Sequence, residues 1–342
     1  MIAESITTLN PAHREAWDAG RVADPENLGD GLWSVPLELP GDRMPGSYAY
    51  VIDGADGVHI IDPGWNSDAN MGRIVDLLTG LGRAVDEVST VVVTHHHPDH
   101  LGLAERLRSA SGAHVILSAV ERRVIDAAVS VGARDDVSYR DVLDRWEVPV
   151  DRQAELIAAF TAPSLIEYVM PDAEVADGDV LVLGGRRLTV IATPGHTSGH
   201  ICLADRERRM IFTGDHVLPR IHSGAGLGIL VGDDPLGDLL ASLERLAEFD
   251  DCQVLPGHEF RFTGLGQRRA QIAAHHLRRT RVVASLSNEL GDASVWEWSK
   301  HLPWTAGWAN LRGFRLHSAL RQTEMHRDLV RSGRAEKWLS RG

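Results

Sequence analysis

Apolar runs of three to five residues, rich in valine and isoleucine and bounded by Gly, Asp or Pro, recur through the first three quarters of the chain. Branched β-carbons suit a pleated surface, so each run predicts a strand. The runs are Tyr48–Ile52, Val58–Ile61, Thr90–Val93, His114–Leu117, Val180–Leu183, Leu188–Ala192, His200–Ala204, Met210–Phe212 and Cys252–Leu255. Elsewhere apolar residues return every three or four positions, which predicts helices over Ala69–Leu81, Leu101–Ser109 and Leu236–Phe249. Asp234-Pro235 opens the last, a capping residue followed by one whose φ already suits a first turn. Strands interleaved with a few helices predict an α/β or α+β fold, with helices covering sheet.

Two segments break this rhythm. Within 119–170, Ala119–Val131, Tyr139–Trp146 and Arg152–Phe160 read as helices, and Trp146, Leu156 and Tyr168 add bulky apolar surface. Such an insertion serves equally as a substrate lid or as extra core. Beyond residue 267 the pattern is helical again, over Arg268–Leu290, Ser294–His301 and Arg315–Val330. Charge changes sign at the same place. The 342 residues carry net −13, but 1–267 hold net −21 and 268–342 hold net +8. A body of 1–267 and a helical extension of 268–342 are therefore expected. The basic extension either docks on the acidic body or meets a nucleic acid.

Hydrophobic residues at 43% can build a core and exclude a disordered chain. The two cysteines, Cys202 and Cys252, provide no disulfide framework, which suits a reducing compartment. The first twenty residues lack a basic stretch followed by an apolar one, and no run reaches the roughly 18–20 apolar residues of a membrane span. A cytoplasmic protein without membrane contact is expected.

Histidine changes the picture, less by its number (17) than by its placement. In Val91-Val92-Val93-Thr94-His95-His96-His97-Pro98-Asp99-His100, four potential ligands follow an apolar strand. His95 and His97 alternate as strand residues do, so both can face one side, and Asp99 and His100 sit on a Pro98 turn. His196, Asp215 and His258 each follow another predicted strand in a Gly-containing loop. Loops at one sheet edge can converge. Five histidines and two aspartates are enough for two metal ions, and imidazole with carboxylate suits Zn, Fe or Mn.

In this order, His95-x-His97-x-Asp99-His100, then His196, Asp215 and His258, the sequence resembles the metallo-β-lactamase-fold hydrolase superfamily. Ile61-Asp62-Pro63-Gly64 resembles the family's first motif. The resemblance implies an αββα sandwich with two divalent metals at one edge. It implies that His95, His97 and His196 hold one ion, that Asp99, His100 and His258 hold the other, and that Asp215 bridges them. Asp62 is implied to orient a ligand rather than bind. The implied nucleophile is a metal-bound hydroxide, which Asp99 would orient or relieve of its proton. Neither cysteine lies beside a base, so no thiol nucleophile is expected. His96, His200 and His216 are expected in supporting positions, and His275 and His276 at the surface or in packing.

The substrate is less specified. The extension resembles, weakly, a small winged-helix-like appendage of a bacterial branch of the family. Hydrolysis of a thioester, ester or lactone is the first reading, because the apolar 119–170 segment could wall an acyl pocket and the body is acidic. A phosphodiesterase or endoribonuclease acting on RNA is the second, on the +8 extension. A non-catalytic binding module is the third, disfavoured by a complete ligand set. Homo-oligomerisation is left open. Glu259, after Pro256-Gly257-His258, places an additional carboxylate near the second ion's expected position.

Overall fold

The computed structural model describes residues 6–41, 44–131, 136–160, 168–227, 234–304 and 306–340. Its strands are, in chain order, β1 (Thr7–Thr8), β2 (Glu26–Gly29), β3 (Leu32–Glu38), β4 (Gly46–Gly54), β5 (Gly57–Ile61), β6 (Val88–Val92), β7 (His114–Ser118), β8 (Ala173–Val175), β9 (Val180–Leu183), β10 (Arg186–Ala192), β11 (Ile201–Asp205), β12 (Met210–Gly214), β13 (Gln253–Pro256) and β14 (Phe262–Thr263). They form two sheets, ordered β2-β3-β4-β5-β6-β7-β8 and β1-β14-β13-β12-β11-β10-β9. All nine predicted strands are present. The less apolar β2 and the short β1, β8 and β14 are additional, as is β3, whose Ser34 and Pro36 interrupt its apolar run.

The helices are α1 (Pro11–Asp18), α2 (Asp68–Gly80), α3 (Pro98–Leu101), α4 (Ala104–Ser111), α5 (Ala119–Val131), α6 (Asp136–Arg145), α7 (Val150–Phe160), α8 (Pro235–Arg245), α9 (Leu265–Leu290), α10 (Val295–Lys300), α11 (Gly313–Arg331) and α12 (Glu336–Leu339). Local chemistry sets several starts. The side chains of Asn10, Ser67 and Asp234 accept from the free amides of His13, Asn70 and Gly237.

The sheets stack face to face with helices outside, an αββα sandwich. β4 shows how alternation builds the layers. Tyr48, Tyr50 and Ile52 point between the sheets, where they meet Leu188, Val190, Leu203, Phe212 and Leu255. Ala49 and Val51 point outward, into a core with Ile74 and Leu78 of α2 and Leu107 of α4. On the other outer face Ile211 and Val254 pack beneath Leu239 and Leu243 of α8, Ile272 of α9 and Trp338 of α12.

The extension is thus joined to the sandwich by a shared apolar core. Charge adds to it: Arg269 pairs with Asp250 at 2.6 Å, Arg334 with Asp234 at 2.9 Å and Lys337 with Glu244 at 2.8 Å. Among the described residues no strand follows Thr263. Trp146 is buried with Leu156, Trp296, Leu316 and Leu320, and its indole N–H donates to Glu324 at 2.8 Å. Tyr168 packs against the outward core of the first sheet. Residues 132–135 and 161–167 of the 119–170 segment lie outside the described residues.

Candidate metal centre

Five loops leave the sandwich at the same edge. β5 leads to Asp62, β6 to His95–His100, β10 to His196, β12 to Asp215 and β13 to His258. β5 and β6 are parallel, as are β12 and β13, so their carboxyl ends lie side by side. Two backbone hydrogen bonds cross between the sheets here: Ile201 N to Thr94 O at 3.0 Å and Tyr48 N to Gly257 O at 2.8 Å.

Seven side chains converge. His95 Nε2 and His196 Nε2 lie 3.0 and 3.1 Å from His97 Nδ1. Asp99 Oδ2 lies 3.3 Å from His258 Nε2 and 4.0 Å from His100 Nε2. Asp215 stands between the two groups. Its Oδ1 is 3.4 Å from His100 Nε2 and 3.3 Å from His258 Nε2, and its Oδ2 is 3.6 Å from His196 Nε2.

The far side of each ring fixes which nitrogen faces the cluster. His196 Nδ1 and His258 Nδ1 donate to the carbonyls of Gly224 and Gly46, both at 2.8 Å. His100 Nδ1 donates to Asp62 Oδ2 at 2.9 Å. Thr94 Oγ1 gives its proton to Asp62 at 2.8 Å, so it accepts from His95 Nδ1 at 3.1 Å. With Nδ1 occupied as a donor on these four rings, each in its neutral form turns an Nε2 lone pair inward, whereas His97 faces the cluster with Nδ1. His100 Nε2, His258 Nε2 and Asp215 Oδ1 are buried and have no hydrogen-bond partner. Leaving such a group unpaired costs about 1–3 kcal/mol. Three aimed at one point form a donor set that fits a cation.

Electrostatics divides the cluster. Burial, reinforced by neighbouring imidazoles, holds His95 and His97 well below the usual histidine pKa, and burial lowers His196. These rings are neutral, as ligands must be. Burial also opposes charge on His100 and His258, but Asp215 with its fellow carboxylates outweighs it. His100 is raised well above its usual value and His258 to about 10. Conversely, His100 and His258 overcome burial to hold Asp99 below the ordinary carboxylate range. Acidic groups without a cation draw protons onto the nearest rings, and a divalent ion would displace them.

Close packing requires glycine at 257. A β-carbon there would lie 2.6 Å from Asp215 Oδ1 and 2.7 Å from His100 Cε1. Asp62 adopts φ +53°, a rare conformation for aspartate, with Oδ1 accepting from Thr94 N at 2.7 Å.

The flanking residues are also placed. His96 turns away from the cluster and donates to buried Glu121. His200 Nε2 accepts from Asp215 N at 3.2 Å and its Nδ1 donates to Thr193 Oγ1 at 2.8 Å, steadying the Asp215 loop. His216 is buried with neither ring nitrogen partnered. In the extension His276 is buried and His275 stacks on His222 at 4.1 Å. Glu259 corrects its expected position. Its carboxylate accepts from Arg220 N, Ile221 N and Arg220 Nε at 2.8–2.9 Å, away from the cluster. Both cysteines are buried, and burial raises Cys202 to about 12 and Cys252 to about 11, so neither is a nucleophile. Glu121, Thr94 and the Gly46 and Gly224 carbonyls support the cluster without any motif announcing them.

Residues 43–258 match the profile of the metallo-beta-lactamase superfamily, nearly two thirds of the chain and all seven converging residues. The chain belongs to that superfamily. A metallo-beta-lactamase family protein from Thermus thermophilus is similar in structure, with a TM-score of 0.69 and 27% identity over 90% of this chain and 95% of the other. Among relatives, an acyl-coenzyme A thioesterase from Homo sapiens is 34% identical over 130 residues, 36% of this chain and 43% of that protein. The match thus spans less than half of that relative's length. A hydroxyacylglutathione hydrolase from Rhizobium johnstonii is 26% identical over 204 residues, 59% of this chain and 60% of that protein. In this superfamily member no described helix is long and apolar enough to cross a membrane.

Proposed function

We propose that this chain is a dinuclear hydrolase of acyl thioesters. The observation that carries the dinuclear part is the pair of ligand groups, His95–His97–His196 and Asp99–His100–His258, with Asp215 within 3.6 Å of a histidine of each and inward atoms of His100, His258 and Asp215 left unpaired. His95, His97 and His196 would hold one ion, and Asp99, His100 and His258 the other. The donor set of imidazole and carboxylate without thiolate suits zinc, and also iron or manganese. When bound, two such ions supply Lewis acidity and lower the pKa of water toward about 7.

The chain's residues do the rest. Asp62 and the Gly46 and Gly224 carbonyls hold ring orientation. Asp99, the more accessible carboxylate of the site, orients the attacking water and takes its proton at Oδ2. Water adds to the acyl carbon, the carbon–sulfur bond breaks, and the thiol leaves with the returned proton. Two relatives named for thioester substrates support the thioester reading. Beside His258, Trp17 stands 6.4 Å away ring to ring.

The test is metal analysis of the purified protein with a panel of acyl-CoA thioesters, lactones, aryl esters and a bis-aryl phosphodiester. Two ions per chain with thioester turnover is expected. Phosphodiester turnover alone would replace the acyl reading, and fewer than two ions in wild type would remove the dinuclear one. His97→Ala and Asp215→Ala should each lower metal content and abolish turnover; unchanged stoichiometry in both would overturn the ligand assignment.

A further inference from the structure

Glu121 is fully buried at the start of α5, outside every motif that carries the metal ligands. No lysine or arginine is among its hydrogen-bond partners, and a lone carboxylate is costly to bury. Its oxygens are instead occupied by two loops. From the loop after β6, Oε2 accepts from His96 N at 3.3 Å and from His96 Nδ1. From the loop between β10 and β11, Oε1 accepts from Thr197 Oγ1 and from Gly199 N at 3.0 Å. Ser118 extends the joint, taking Glu121 N at 3.1 Å and donating to Gly199 O at 2.6 Å. A β-carbon at Gly199 would lie 2.4 Å from Glu121 N, so the loop and the helix start are in direct contact.

These two loops carry His95, His97 and His196, the whole of one ligand group, whereas Asp99 and His100 lie beyond them on α3. The Gly46 carbonyl serves the other group through His258, and Asp62 serves both, His100 directly and His95 through Thr94. The geometry points to Glu121 as the positioning residue of the three-histidine site alone, a clamp that sets the distance between the His95–His97 loop and the His196 loop. His96, the spacer in the motif, is the clamp's contact on the first loop. The inference rests on the dinuclear reading above and gives the three-histidine site a support that the other group does not share.

This asymmetry makes a selective test. Glu121→Gln keeps the shape but turns an amide N–H₂ toward donors, breaking the clamp on one side. In competitive titration of the apo-protein with zinc against a chromophoric chelator, wild type should show two binding events. Glu121→Gln should weaken only one, by about 10–100-fold, the usual effect of losing an outer partner of a metal ligand. Anomalous difference peaks in crystals grown at limiting zinc should then show the Asp99–His100–His258 position filled and the three-histidine position depleted. Thr197→Val, which deletes one contact and keeps the carboxylate, should act in the same direction with a smaller effect, and it covers the case in which Glu121→Gln does not fold. Two unaltered affinities in Glu121→Gln, or equal loss at both positions, would overturn the clamp. Wild type with fewer than two ions would instead overturn the dinuclear reading on which it stands.

Discussion

At the residue scale the site depends on groups that touch no substrate. Gly257 is one, because a β-carbon there would meet Asp215 and His100. Gly257→Ala is expected to lower zinc affinity by at least about 10-fold while far-UV circular dichroism stays unchanged. Retained affinity would show that the loop can yield. The converging residues were legible in the sequence because four of them are nearly contiguous at one strand end, where alternation alone decides which ones share a side. Asp62 was legible through its Asp-Pro-Gly setting. Glu121 was not, since it starts an ordinary helix and gains its role only when two distant loops reach it. Glu259 was misplaced for the same reason: adjacency to His258 in sequence says nothing of a backbone at φ +71° that turns its carboxylate to Arg220.

At the element scale, strand prediction succeeded where β-branched runs were bounded by turn residues. It missed β2, whose Glu26-Asn27-Leu28-Gly29 has little apolar character and is held by pairing with β3. Sheet pairing is a tertiary property that short polar strands do not announce. The hairpin turn after β2 and the edge of β10 meet at Arg186. Its guanidinium donates to Asp205 at 2.8 Å, a pair buried from water, and to the carbonyls of Gly29 and Asp30 at 3.1 and 3.0 Å. Removing one member leaves a buried charge alone. Asp205→Ala should therefore cost about 3–5 kcal/mol in urea unfolding. Lys337→Ala, which breaks the exposed pair with Glu244, should cost no more than about 1 kcal/mol. Equal costs would mean that the first pair is hydrated.

At the scale of the whole molecule, the charge boundary near residue 267 was visible in the sequence, whereas the partner that answers it was not. Arg269, Arg334 and Lys337 meet acidic residues of the sandwich, so part of the extension's positive charge is answered within the chain. The extension also buries histidine. Burial lowers His276 to about 3, against about 6.5 for an unfolded chain. The unfolded state therefore binds this proton first as pH falls. Stability from this group is complete above about pH 6.5 and declines below it, by about 2 kcal/mol at pH 5. His276→Leu should flatten that part of the urea midpoint against pH. An unchanged slope would assign the loss to other groups.

The two backbone bonds that cross the sheets at the metal edge, Tyr48 to Gly257 and Ile201 to Thr94, have a consequence for solvent isotope exchange. Both amides belong to strands whose neighbouring loops carry the proposed ligands, so ions bound as proposed would hold both bonds closed. In deuterated buffer the amides of Tyr48 and Ile201 should be among the slowest to exchange in the metal-loaded protein, and a chelator should accelerate them more than amides at the Arg186 end of the sandwich. Ion occupancy would then be readable from the chain itself, as deuterium uptake at two positions that touch no metal.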